Sequence, residues 1–286
     1  FVDVFIHELI NDPGHKCSKK EKAESWDTVK KFHTCPRNER LNYSDKLLGA
    51  LSSTSKRTLG VQDALFSQEA WEFVLDRYNA KASDFSFIDY FWTWRAIHAP
   101  LFQTMLAEIP RAKMYHTIST GYAGLLGAMA KQRFGRPLVI SEHGIYVRER
   151  TIDIARADWI YEKPVRVKLA KPGVNPLKQM WSNFFVTLGQ IAYKEADLII
   201  TLYGGNQDLQ HQLGADPNRT RIIPNGVQQK IYSPLIEKRN DGDRPLRVGF
   251  VGRVVPIKDV KTLLKACAVV QRDMPDVEYW IVGPTD

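Results

Sequence analysis

The chain has 286 residues, 44% of them hydrophobic and 25% charged, and carries a formal net charge of +8. That composition fits a soluble globular protein long enough for two domains, and no apolar run approaches the roughly 18 residues that span a bilayer. The charge favours anionic company, yet Lys and Arg are scattered, which argues against a nucleic-acid surface and leaves a small anionic ligand ahead.

The opening FVDVFIHELI has no basic n-region and no initiator methionine, so it is not read as a signal peptide; the chain reads as cropped from something longer. Cys17, Cys35 and Cys267 give no disulfide framework and place the expectation in a reducing cytoplasm. His15 and Cys17, with His33 and Cys35, form two H-x-C pairs. Four such side chains suit zinc, but the spacing matches no common zinc pattern, so a solvated loop with free thiols is preferred and no metal is expected. Residues 11–60 are expected to be a polar, partly helical insertion of low order. The spacing of Trp71, Val74, Leu75 and Tyr78 predicts a helix over Gln68–Tyr78. A second helix carries Trp94, Ile97, His98, Leu101, Phe102 and Met105 in one stripe, with a kink expected at Pro100. Such a stripe packs a core more often than it lines a ligand cleft.

KMYHTIST then predicts a short strand. GYAGLLGAMAKQRFG predicts a helix with Tyr122, Leu125, Leu126 and Met129 on one face and a stop at Gly135. RPLVISEHG reads as a strand, MWSNFFVTLGQIAYKEA as a helix, DLIITL as a strand, Gln207–Leu213 as helical and RIIPNG as a strand. The alternation predicts an α/β fold with a parallel sheet covered on both faces. This first domain is placed at 1–226, and residues 227–244 have linker composition. LRVGFVG, VKTLLKACAVVQRDMP and VEYWIVG open a second parallel-sheet domain over 245–286, too short to close a core by itself. Its helix sets Val260, Leu263, Leu264 and Cys267 on one apolar face.

Open parallel sheets bind ligands at the carboxyl ends of their strands. Three polar clusters fall there: Ser119-Thr120-Gly121, Ser141-Glu142-His143-Gly144, and the loop from Gly252-Arg253 to Lys258. Gly249 and Gly252 let backbone approach a ligand, Arg253 offers a planar fork to a phosphate, and Lys258 a compact charge; a solvated basic loop is the competing reading. The pattern is neither G-x-G-x-x-G nor a Walker loop, which weakens hydride-transfer and P-loop readings. Asp259 is the expected N-cap of the next helix. His143 can hydrogen-bond a ligand or transfer a proton, although a lone histidine there is more often packed. Glu142 is a candidate base with nothing in the local spacing to raise its pKa. Arg148 and Arg150 around Glu149 read as a surface ion-pair cluster.

Together, YHTISTGYAGLLGAMAKQRFGRPLVISEHGIYVRERTIDI, PNGV and VGFVGRVVPIKDVKT resemble the retaining glycosyltransferases of family four with the GT-B fold. Within these the match is to the PelF-like branch, the cytosolic transferase of Pel-type exopolysaccharide synthesis, over roughly residues 85–286. The resemblance implies two Rossmann-like domains with a nucleotide-sugar in the cleft between them. It matches Arg253 and Lys258 to the basic pair gripping the donor diphosphate, and Gly252 to the glycine of that loop. His143 matches the catalytic histidine that approaches the donor sugar, and Thr120, Gly121, Glu142 and Arg148 are expected along the substrate cleft. No cofactor and no metal is implied, because protein cations neutralise the leaving diphosphate.

The implied reaction moves a hexose from a UDP-sugar, UDP-glucose first, to a growing exopolysaccharide with retention. Implied partners are the nucleotide-sugar donor, the polysaccharide acceptor and membrane-bound synthase subunits, with no nucleic acid. The implied location is the cytoplasm, peripheral to the inner membrane through those partners. Two other readings stay open: a non-catalytic interaction subunit of a membrane polysaccharide synthase complex, and a glycogen-synthase-like transferase with an ADP-sugar donor. Asp259 stands where the general motif has glycine, a change the branch shares, and Gln228 stands where an acidic residue often follows PNG-V/I. The family's E-x7-E motif and N-terminal glycine-rich loop are not in these 286 residues, so the chain alone is expected to have little or no transferase activity.

Overall fold

A computed structural model describes residues 17–36, 39–51, 58–107, 109–160, 175–237, 245–255 and 258–284. The chain divides into two compact units, Phe1–Asn225 and Gly226–Asp286. His15, part of the first H-x-C pair, lies outside the described residues. Among the described residues no group of three or more His, Cys, Asp or Glu side chains is placed to hold a metal. No helix among them is long and apolar enough to cross a membrane.

The first unit begins with helices α1 (Lys19–Thr34), α2 (Arg40–Leu51), α3 (Val61–Phe66), α4 (Gln68–Lys81) and α5 (Phe87–Leu106). Residues 17–36 and 39–51 form two helices, more ordered than the partly helical, low-order insertion expected of them. Ser18 Oγ accepts from the Glu21 N–H at 3.2 Å while the Glu21 carboxylate accepts from the Ser18 N–H at 2.9 Å, a reciprocal cap that starts α1. Trp26, Val29 and Phe32 then recur at helical spacing and enter the core, where Trp26 meets Phe73. In α4 the buried side chains are Ala70, Phe73 and Val74, and Trp71 stays 46% exposed. In α5 the buried stripe holds Trp94, Ile97, His98, Phe102 and Met105.

Strands and helices then alternate: β1 (Tyr115–Thr117), α6 (Gly121–Phe134), β2 (Leu138–Glu142), α7 (Tyr146–Arg156), α8 (Pro176–Glu195), β3 (Leu198–Thr201), α9 (Gly204–Gln212) and β4 (Thr220–Ile222). The four strands are parallel and lie in the order β1-β2-β3-β4. Right-handed crossovers between sequential neighbours put α6, α8 and α9 on one face. α6 and α8 make the most extensive helix–helix contact, where a Cβ on Gly124 would come within 2.8 Å of the Ala192 methyl. α6 stops at Gly135, whose φ of 61° is costly for residues with a Cβ.

Coverage of both sheet faces was the expectation from the apolar strands. Instead, Leu138, Ile140 and Glu142 of β2 and Ile199 and Thr201 of β3 are buried, while Val139, Ser141, Leu198 and Ile200 between them are only half-buried among the described residues. The fold is thus α/β, with a parallel sheet, a helical layer on one face and α1–α5 packed around that layer.

In the second unit, α10 (Gln229–Glu237) precedes β5 (Arg247–Val251), α11 (Val260–Asp273) and β6 (Glu278–Val282). β5 and β6 pair in parallel, Gly249 opposite Trp280. Among its described residues Val277 is the buried hydrophobe, and Val251, Leu264 and Trp280 are more than half exposed. Two strands and two helices have too little surface to bury more.

The helical coat contains two histidines held neutral. His33 donates from Nδ1 to the Val29 carbonyl at 2.8 Å, and His98 from Nδ1 to the Trp94 carbonyl at 2.7 Å, with the imidazole rings 5.7 Å apart. Burial lowers His33 to about 4, with Arg40 and Arg77 adding to the effect, and lowers His98 to about 3, with His33 adding. Both groups take up protons near pH 6.5 when unfolded but remain neutral when folded, so stability falls as pH drops from about 6.5 toward 4. Urea unfolding should therefore show a midpoint that declines steadily between pH 7 and 4.5. His33→Asn combined with His98→Gln should flatten the decline above pH 5; an unchanged slope would refute the burial argument.

Candidate functional site

β2 ends on Glu142, which is 1% exposed. Its Oε1 accepts from Thr120 Oγ1 at 3.1 Å, and its Oε2 accepts from Tyr193 OH at 2.5 Å and Gln210 Nε2 at 3.0 Å. Thr201 Oγ1 donates to the Glu142 carbonyl at 3.2 Å. These donors come from the turn after β1, from α8, from α9 and from β3, and none is a cation. Burial, together with the neighbouring Glu142 charge, pushes the Tyr193 phenol above its usual range, so it keeps its proton and donates. Thr120 is equally buried. Thr120 and Glu142 are therefore bonded to each other beneath the surface of the first unit.

The next residue points the other way. The His143 side chain is exposed, while its carbonyl oxygen accepts from Nδ2 of the buried Asn206 at 3.0 Å. The backbone is fixed and the imidazole faces solvent at the carboxyl end of the sheet. Gly121 turns the chain from β1 into α6 with φ 71°, and a Cβ there would lie 2.5 Å from the Tyr146 ring. Only glycine fits both the dihedral and the ring. Arg148 is exposed on the first turn of α7. The Glu149 carboxylate lies over Gly144, where a Cβ would approach Oε1 to 2.0 Å. The surface ion pair of this segment joins Arg150 to Asp153 at 2.6 Å, not to Glu149.

Three helices start at this edge, and in each the N-cap side chain makes no capping hydrogen bond: Thr120 before α6, Ile145 before α7 and Tyr203 before α9. By contrast, Ser18, Ser67, Ser86 and Asn175 cap α1, α4, α5 and α8 with their side chains. The starts without side-chain caps direct first-turn backbone N–H groups and the positive ends of helix dipoles to the same sheet edge, which favours anionic groups.

In the second unit the loop after β5 is fixed by its backbone. The Gly252 N–H donates to the Val282 carbonyl at 2.9 Å, the Val254 N–H to Pro284 at 3.0 Å, and the Lys258 N–H to Val255 at 3.0 Å. Gly283 permits the first contact, since a Cβ on it would fall 1.8 Å from the Gly252 carbonyl oxygen. Arg253 and Lys258 are both exposed at the carboxyl end of β5. Asp259 accepts from the Thr262 N–H and caps α11, with its own φ at 50°. That left-handed dihedral is one glycine adopts freely and aspartate tolerates better than most residues.

A family model described as "Domain of unknown function (DUF3492)" matches residues 1–218, well over half of the chain. The chain belongs to the DUF3492 family. This DUF3492 chain is also similar to proteins of named activity. It is 25% identical over 166 residues to the MMP alpha-(1->4)-mannosyltransferase of Mycolicibacterium hassiacum, covering 56% of this chain and 36% of that protein. It is 36% identical over 90 residues to a D-inositol 3-phosphate glycosyltransferase of Corynebacterium glutamicum, covering 28% of this chain and 22% of the relative. A D-inositol 3-phosphate glycosyltransferase of Thermomonospora curvata is 28% identical over 182 residues, 59% of this chain and 37% of its own. The chain thus spans about a third of the length of the curated relatives it matches most extensively. These relatives are glycosyltransferases, and the α/β architecture of the DUF3492 chain, with parallel sheets in both units, is of the GT-B Rossmann-like class.

Tyr193, Gln210, Asn206 and Gly283 belong to these arrangements although the sequence reading did not select them. Gly283 had a signal: Val282-Gly283 repeats, at the end of β6, the Val251-Gly252 step at the end of β5. The other three are polar residues on helices, and only the tertiary fold reveals their partners.

Two substitutions separate the buried pair from the exposed histidine. Glu142→Ala leaves two hydroxyls and an amide unsatisfied in the interior and should cost about 3 kcal/mol or more in urea unfolding. His143→Ala should change stability by less than about 0.5 kcal/mol. A comparable loss from both would contradict the division of roles. In the second unit, Gly283→Ala should disturb the loop after β5, read as chemical-shift changes at Gly252–Val254 amides beyond those in a Gly249→Ala control, where a Cβ meets nothing within 4 Å.

Proposed function

We propose that the protein is a retaining glycosyltransferase of the PelF-like branch that moves a hexose from a UDP-sugar, UDP-glucose first, to a growing exopolysaccharide. The carrying observation is the loop after β5, which presents exposed Arg253 and Lys258 on a backbone tied to the end of β6 and to the capped start of α11. Similarity to the mannosyltransferase and the D-inositol 3-phosphate glycosyltransferases supports the reaction class.

In this reading the bond from the anomeric carbon to the diphosphate oxygen breaks with its electron pair on the diphosphate, an acceptor hydroxyl oxygen bonds to that carbon on the same face, and the hydroxyl proton passes to the leaving diphosphate. Arg253 spreads its guanidinium along the phosphate oxygens and Lys258 adds a point charge, so negative charge is neutralised where it develops. Gly252 keeps the backbone close to the phosphates. His143, exposed beside Gly144, offers an imidazole to a donor sugar hydroxyl. Thr120, Gly121 and Glu142 set the edge on which His143 stands, and Arg148 supplies a further exposed cation. Membrane-bound synthase subunits at the cytoplasmic face are the proposed partners, with the polysaccharide as acceptor.

Calorimetric titration of UDP, UDP-glucose and ADP-glucose into the full-length protein tests the reading. Arg253→Ala and Lys258→Ala should each weaken UDP binding about tenfold or more, the worth of a hydrogen bond to a charged group. Wild-type affinity for UDP in both variants would remove the diphosphate assignment, and a preference for ADP-glucose would replace the donor.

A further inference from the structure

The helical coat of the first unit surrounds a cavity of about 700 Å³, a volume typical of small-molecule sites. Its walls come from α1–α6 and α8 and are mainly aromatic and aliphatic, with Phe73, Trp94, Phe102, Met105, Phe184 and Leu188 contributing. All six residues of the α5 stripe line it. The polar lining is one-sided in charge: Arg40, Arg77 and Lys81 are present, and no aspartate or glutamate is among the described residues that line it.

Arg40 and Arg77 are unusual among these groups. The Nε of each is buried with no hydrogen-bond partner among the described residues. Arg40 donates once from a terminal nitrogen, to Thr187 Oγ1 at 3.2 Å, and lies 5.8 Å from the centroid of Phe32. Neither guanidinium forms an ion pair among the described residues. Both arginines are half-buried, and at each the buried Nε lacks an acceptor, which an anion with several acceptor oxygens supplies at both residues. The aromatic walls, in turn, suit a long apolar body rather than a sugar, which would need more polar partners than the cavity supplies. The two neutral histidines add ring surface, His98 stacking on Trp94 with centroids 4.1 Å apart.

We propose that this cavity binds an anionic amphiphile, an alkyl or acyl chain ending in a carboxylate or phosphate, with the chain against the α5 stripe and the head on Arg40 and Arg77. None of the residues on which the transferase reading rests lines this cavity, so either assignment can fail alone.

Decyl phosphate, decanoate, decanol and inorganic phosphate, titrated calorimetrically into the full chain below micelle-forming concentrations, test the proposal. At least one of the two anionic amphiphiles should bind saturably at one site per chain, and decanol at least tenfold more weakly. The stronger of the two anions tells a phosphorylated lipid from a fatty acyl source. Arg40→Met with Arg77→Met should abolish the preference for the charged head while circular dichroism shows an intact fold. If that variant does not fold, the head-group comparison on the unaltered chain decides alone. No saturable binding of either anion, equal binding of decanol, competition by inorganic phosphate alone, or an unchanged preference in a folded double variant would each overturn it.

Discussion

A carboxylate taken out of water must find either a cation or enough hydrogen bonds to replace its hydration, and Glu142 takes the second course. Its oxygens gather a threonine hydroxyl, a tyrosine phenol and a glutamine amide from three different parts of the chain, while its carbonyl oxygen receives a fourth donor from the neighbouring strand. The cost of burying the charge becomes a requirement on geometry, because removing any donor leaves the others around an under-satisfied anion. The ends of β1, β2 and β3 and the positions of α8 and α9 are consequently locked together. His143 follows Glu142 directly, so the exposed imidazole inherits its place from the buried residue before it.

α8 serves two environments. Ala192 and Tyr193 face the small core of the sheet, while Phe184, Thr187, Leu188 and Ile191 face the cavity among the outer helices. Gly189 is buried between these groups and leaves room for the Val147 side chain of α7, 2.7 Å from where a Cβ would stand. One helix thus forms a common wall between the carboxyl edge of the sheet and the apolar chamber. Bulk added to its middle disturbs both compartments.

Much of the sheet and its helices was legible because local signals agreed. Gly135 marked the end of α6 through the only backbone conformation that fits there, and the apolar runs marked β2, β3 and β5. The packing of α1 was masked by its lysine-rich composition, although Ser18 and Glu21 at capping-box spacing announced its start. α7 was hidden for a related reason: the charge density of RERT masks a helix whose buried contribution is Val147 and Ile154. The placement of the polar clusters at strand ends was legible. Which members face solvent was not, because Tyr193 meets Glu142 across 51 residues and no local spacing encodes that meeting.

The uncapped starts of α6, α7 and α9 have a practical consequence. Their attraction for negative groups resides in peptide N–H bonds, which do not titrate and survive every side-chain replacement. Alanine scanning of this edge would therefore register the imidazole and the exposed arginine while leaving the main-chain contribution unmeasured. Introducing serine or aspartate at position 203 works in the opposite direction: a new side-chain cap occupies the amides and reveals their contribution by competition.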